Sequence, residues 1–103
     1  MIYYEVNADV EKDIYNDYLL YLNTHIKKIL SFPGFIEAVV LKNNDSNNPN
    51  MEQIIVTYKL ESIHHLDDYL ETQAAQLRFE TLELFGKKLT ITRRILKLQN
   101  IFN

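Results

Sequence analysis

The sequence predicts an α+β domain whose elements run β-α-β-β-α-β. Its apolar residues switch repeatedly between a period of two and a period near 3.6, and turn-forming residues stand at the switches. The chain is 103 residues long, 47% hydrophobic and 24% charged. That is enough for one hydrophobic core and too little for two.

In the first strand Ile2, Tyr4 and Val6 alternate with Tyr3, Glu5 and Asn7. Asn7 or Asp9 offers a helix N-cap, and from Val10 the spacing becomes helical. Ile14, Tyr18, Leu22 and Ile29 form one line, and Tyr15, Leu19, Ile26 and Leu30 a second. Together the two lines span an arc of roughly 200°, wider than one sheet needs to cover. Pro33-Gly34 ends this helix, Phe35 to Lys42 reads as the second strand, and Asn43 to Asn50 is almost pure turn chemistry. Gln53 to Leu60 is the third strand. Ser62 caps a second helix with a predicted buried line of Ile63, Leu66, Leu70, Ala74, Leu77, Thr81 and Leu84, which Gly86 stops. Lys88 to Leu98 is the last strand, so the domain spans residues 1–98 and residues 99–103 form a tail. This order is the ferredoxin-like one, two helices on one face of a four-stranded antiparallel sheet.

Two helices leave the other sheet face bare. Its expected positions, Tyr3, Glu5, Val39, Leu41, Ile55, Thr57 and Lys59, are more apolar than water favours, which points to a homodimer with sheets packed face to face as a dimeric α/β-barrel.

Absent residue types exclude several activities. With no cysteine there is no thiol nucleophile, disulfide or Cys-ligated metal, and no metal or other cofactor is expected. Two glycines make no phosphate-binding loop. A net charge of -3, with Ile54 to Lys59 carrying one aromatic and one cation, argues against a nucleic-acid partner. The first residues show no secretory leader and no run approaches a membrane span, so the expected compartment is the cytoplasm. Ten Asn, eleven Ile and eight Lys against three Arg have the flavour of an AT-rich bacterial genome. The charge is divided: residues 61–83 carry six acids and one Arg, and residues 85–103 carry five cations and no acid.

The site expectation rests on topology. His64 and His65 are adjacent, diverge on a helix and read as solvent-facing. His25 falls instead on the apolar side of its helix, among Ile14, Tyr18, Tyr21 and Ile29. The chain path gathers Tyr4, His25, Tyr69, Gln73 and Arg93 at one edge of the domain. Such a set binds an anionic or carbonyl group, or else it is a structural hydrogen-bond network that closes the core.

An ordered set of short motifs carries a family resemblance. It comprises Met1-Ile2-Tyr3-Tyr4-Glu5-Val6, His25, Gly34-Phe35, Tyr69, Leu77-Arg78, Phe85-Gly86 and Arg93. In these the chain resembles the DUF4286 family of small bacterial proteins, to about residue 97. The resemblance implies a dimeric α/β-barrel. It also implies kinship with a superfamily of cofactor-independent monooxygenases, haem-degrading enzymes, stress-response barrels and ligand-sensing domains. Many relatives have a histidine where this chain has Gln73, so proton transfer is not expected at that position. Three functions follow as expectations. The first is a small organic ligand held between sheet and helices. The second is an enzyme in which His25 is the acid–base and Arg93 with Tyr69 holds an anionic substrate or enolate. The third is a structural or regulatory dimer.

Overall fold

A computed structural model describes residues 1–45 and 47–103. Ser46, in the expected turn segment, lies outside the described residues. Four strands, β1 (Ile2–Glu11), β2 (Phe35–Lys42), β3 (Met51–Leu60) and β4 (Leu89–Lys97), form one antiparallel sheet in the order β2-β3-β1-β4. Three helices, α1 (Tyr15–Leu30), α2 (Ile63–Thr72) and α3 (Ala74–Phe85), pack on one face. This is the ferredoxin-like α+β fold the periodicity predicts.

Strand β1 runs past the expected helix start. Ala8 and Val10 continue the alternation of Ile2, Tyr4 and Val6, both are buried, and Val10 pairs with Glu52 and Leu89. Neither Asn7 nor Asp9 caps a helix. A 3-10 turn over Lys12–Ile14 intervenes, and α1 begins at Tyr15. The ladder wins because Val10 gains two strand neighbours and full burial, which outweighs a local capping preference.

The second helix is two. Gln73 leaves helical geometry (φ -121°, ψ -32°), and the Thr72 hydroxyl donates to the Asp68 carbonyl at 2.7 Å, a back-bond of the kind that bends helices. The buried line therefore reads Leu66, Tyr69, then Ala74, Leu77 and Thr81, with a five-residue step across the break. An unbroken line fails at its ends, where Ile63 and Leu84 are exposed. Ser62 caps α2 as expected, its Oγ accepting from His65 N–H. His65 is not solvent-facing: it is half-buried, its Nδ1 lies 2.8 Å from Ser62 Oγ, and it packs over Gly34. Only His64 is exposed.

The core lies between sheet and helices, built on Ile54, Val56, Tyr58 and Leu60 of β3 under Leu22, Ile29, Leu66 and Leu77. Beyond Ile91 the helix-side positions of β4, Arg93, Ile95 and Lys97, are exposed. On the other face Leu41 pairs with Ile55 and Val39 with Thr57, flanked by the Glu5–Arg94 and Glu37–Lys59 ion pairs. Val39 and Leu41 are about half exposed.

Candidate functional site

The sheet and the helices enclose a small cavity of about 30 Å³. Tyr4 of β1, Tyr58 of β3, Tyr18, Tyr21 and His25 of α1, Tyr69 of α2 and Arg78 and Thr81 of α3 reach it, and the exposed Arg93 of β4 borders it. The space holds about two waters or a molecule of a few heavy atoms.

Strand register explains the floor. Tyr4 faces Tyr58 across the β1–β3 pair and Val6 faces Arg93 across β1–β4, so all four side chains point toward the helices. The Tyr4 and Tyr58 rings stack at 6.2 Å, and Tyr69 meets Tyr4 edge-on at 6.3 Å. Phe35 wedges against both Tyr58 and Tyr69. Such aromatic contacts favour fixed ring orientations. The roof comes from helical spacing: Tyr18, Tyr21 and His25 are three and four residues apart and share one side of α1. Tyr21 stacks on the His25 ring at 4.9 Å.

A continuous hydrogen-bond chain ties α1 to α3. The Tyr21 hydroxyl lies 2.9 Å from His25 Nδ1 and 2.5 Å from Thr81 Oγ1, and Thr81 donates to the Leu77 carbonyl at 3.0 Å. Arg78 Nη2 donates to the Tyr4 hydroxyl at 3.1 Å. The hydroxyls of Tyr18, Tyr58 and Tyr69 have no side-chain partner among the described residues, yet no unpartnered side-chain oxygen there is fully occluded. All three residues line the cavity.

Burial sets the protonation states. It lowers the imidazole pKa of His25, against Glu80, which raises it, while Lys28 and Arg93 add to the lowering. Burial raises the phenols of Tyr18, Tyr21 and Tyr58, and pushes Tyr69 up to about 12 with help from Tyr4. At neutral pH the cavity thus offers neutral phenols, a neutral imidazole and two guanidinium groups. No carboxylate lines it, and among the described residues neither Arg78 nor Arg93 forms an ion pair. Both arginines, with Thr81 and Ile91, also line an outer groove along Leu82, Gly86 and Leu89. The arginines therefore stand where cavity meets groove.

Four of the five residues expected at the site, Tyr4, His25, Tyr69 and Arg93, line this cavity. Gln73 does not. It stands at the break between α2 and α3, exposed beside a neighbouring cleft of about 160 Å³ that Phe32, Pro33, His65, Asp68, Tyr69 and Thr72 also line, so Tyr69 is common to cleft and cavity. Arg78, Thr81, Tyr18, Tyr21 and Tyr58 belong to the site and were not among the expected residues. The i, i+4 pairing of Tyr21 with His25 is the one local signal that points to any of them.

Residues 1–99 match the family model described as "Domain of unknown function (DUF4286)". The chain belongs to the DUF4286 family. This DUF4286 chain shares its fold with a dimeric ferredoxin-like protein from an uncultured marine organism. The TM-score is 0.74 at 17% identity, covering 100% of this chain and 99% of the other. It is also similar to SnoaB, a cofactor-independent oxygenase from Streptomyces nogalater (TM-score 0.66, 12% identity, 97% and 95% covered). A third similar structure is an antibiotic biosynthesis monooxygenase (TM-score 0.69, 11% identity, 97% and 100% covered). None of the curated proteins matches the DUF4286 chain.

Among the described residues no helix is long and apolar enough to cross a membrane.

Proposed function

We propose that this chain is a homodimeric binding protein that holds a small organic anion in the cavity between sheet and helices. One observation carries the reading: Arg78 and Arg93 meet at a cavity lined by five tyrosines and His25, with no carboxylate to neutralise them. Two guanidinium groups with no carboxylate partner among the described residues, exposed at the mouth of the pocket, favour an anion, and guanidinium geometry matches the planar, bidentate oxygens of a carboxylate. Tyr4 and Tyr69 supply flat walls, and Gln73 has no part in the binding. The dimer is supported by the apolar Val39, Leu41 and Ile55 patch on the bare sheet face and by the dimeric ferredoxin-like protein among the similar structures. We place the protein in the cytoplasm, in keeping with a chain without cysteine, and assign it no nucleic-acid or membrane partner.

A second reading makes the same cavity catalytic. His25, kept neutral by burial, is then the base, and the arginines with Tyr69 hold an anionic substrate or enolate. The cofactor-independent oxygenase among the similar structures supports it.

Calorimetric titration with acetate and propionate, against acetamide and propionamide, tests the binding reading. The acids bind and the amides do not, and the Arg78→Ala/Arg93→Ala double variant loses the acids. Equal binding of acid and amide, or unchanged acid binding by the double variant, removes the reading.

A further inference from the structure

We propose that the cavity selects a carboxylate that also bears a hydroxyl, an α-hydroxy acid whose carboxylate meets Arg78 and Arg93 while its hydroxyl donates to Nε2 of His25. The inference rests on the anion reading above and adds the second group the ligand must carry.

The direction of the hydrogen-bond chain carries the argument. A carbonyl oxygen only accepts, so the 3.0 Å contact between Thr81 Oγ1 and the Leu77 carbonyl takes the single hydroxyl proton of Thr81. With that proton committed, Thr81 Oγ1 accepts in its 2.5 Å contact with the Tyr21 hydroxyl, and Tyr21 is the donor there. Tyr21 also has one proton. Its oxygen therefore accepts from His25 across 2.9 Å, which puts the imidazole proton on Nδ1. In a neutral ring Nε2 is then a bare acceptor.

The site keeps the ring in that state. Stacking on Tyr21 fixes its plane, and the groups whose charge acts on it are Glu80 on α3, Lys28 on α1 and Arg93 on β4. Nε2 has no hydrogen-bond partner among the described residues and is not fully occluded. A cavity lined by two arginines and by a histidine whose accessible Nε2 is a bare acceptor asks for a ligand with an anionic end and a donor end. Its volume of about 30 Å³ limits the part held inside to a few heavy atoms, the size of glycolate. Longer α-hydroxy acids have an outlet along Leu82 and Leu89.

Glycolate and acetate differ by that hydroxyl and serve as the probes, each titrated into 15N-labelled protein at pH 7.5. Wild-type protein is expected to bind glycolate about tenfold more tightly than acetate, the scale of one well-made buried hydrogen bond. Tyr21→Phe, which frees Nδ1 and lets the ring change tautomer, brings the two ligands to within about threefold of each other. Imidazole 15N shifts of the wild-type protein check the tautomer independently of any variant's folding, with Nδ1 protonated and Nε2 bare as the expected result. Equal affinities, an undiminished glycolate preference in Tyr21→Phe, or a proton on Nε2 overturns the inference while the anion reading stands. Binding of neither acid overturns both.

Discussion

The Tyr21 hydroxyl bridges two helices: it lies 2.9 Å from His25 Nδ1 one turn along α1 and 2.5 Å from Thr81 Oγ1 on α3, sixty residues away. Both partners are held by α-helical backbone, so the bridge orients the imidazole as well as joining the layers. Tyr21→Phe is expected to cost about 1–2 kcal/mol in urea unfolding, because it leaves His25 and Thr81 each short of a partner. Thr81→Val removes the same link from the other side. The two substitutions together should cost less than their sum by about 0.5–1 kcal/mol, and strict additivity in the double-mutant cycle shows that the bridge is not a bridge.

His25 makes stability depend on pH. Its folded pKa is lowered by burial relative to the unfolded value, so the unfolded chain binds the extra proton more readily. The contribution is fully present above the unfolded pKa of about 6.5 and is lost as pH falls toward the folded pKa. Chemical denaturation of wild type from pH 7.5 to 5 should show a loss that His25→Asn flattens. Parallel curves for the two proteins contradict the assignment.

The strand and helix order was legible because it rests on periodicity, which local sequence carries. Tyr4, His25, Tyr69 and Arg93 were legible because the β-α-β-β-α-β path itself places them together. Arg78 and Gln73 were harder to place. The sequence continues in helical spacing across Thr72-Gln73, and Ala74, Leu77 and Thr81 are buried as that spacing predicts, but the break puts a five-residue step between Tyr69 and Ala74 and leaves Gln73 exposed at the junction. Arg78 follows the buried Leu77, and only the tertiary fold brings its guanidinium to the Tyr4 hydroxyl. The extension of β1 through Val10 was hidden similarly, since Ala8 and Val10 fit a strand and a helix start equally well until β3 and β4 supply neighbours.

Gly34 and Gly86 both have positive φ, 86° and 55°, but only one is crowded. A Cβ on Gly34 would lie 2.2 Å from His65 Cγ and 2.4 Å from its Cβ, whereas one on Gly86 meets nothing within 4 Å. Gly86→Ala should therefore cost about 1 kcal/mol through backbone strain alone. Gly34→Ala should cost clearly more, because α2 has to shift as well, and equal thermal-melt losses refute the close packing of His65 on the turn.

The bare sheet face tests the dimer. Leu41→Lys places a charge beside Ile55 at a position about half exposed in the monomer, so the fold should survive. Sedimentation is expected to show a wild-type dimer and a monomeric variant with unchanged circular dichroism. A monomeric wild type, or a variant that remains dimeric, contradicts this use of the face.

The claim that a small anion sits between the sheet and α3 is tested most directly by backbone 1H–15N shift mapping during a glycolate titration. The account predicts saturable shifts clustered at Tyr4, Tyr21, His25, Arg78, Thr81 and Arg93, absent from Val39, Leu41 and Ile55. Shifts confined to the open sheet face or to the cleft around Gln73, with the cavity residues unmoved, would contradict it.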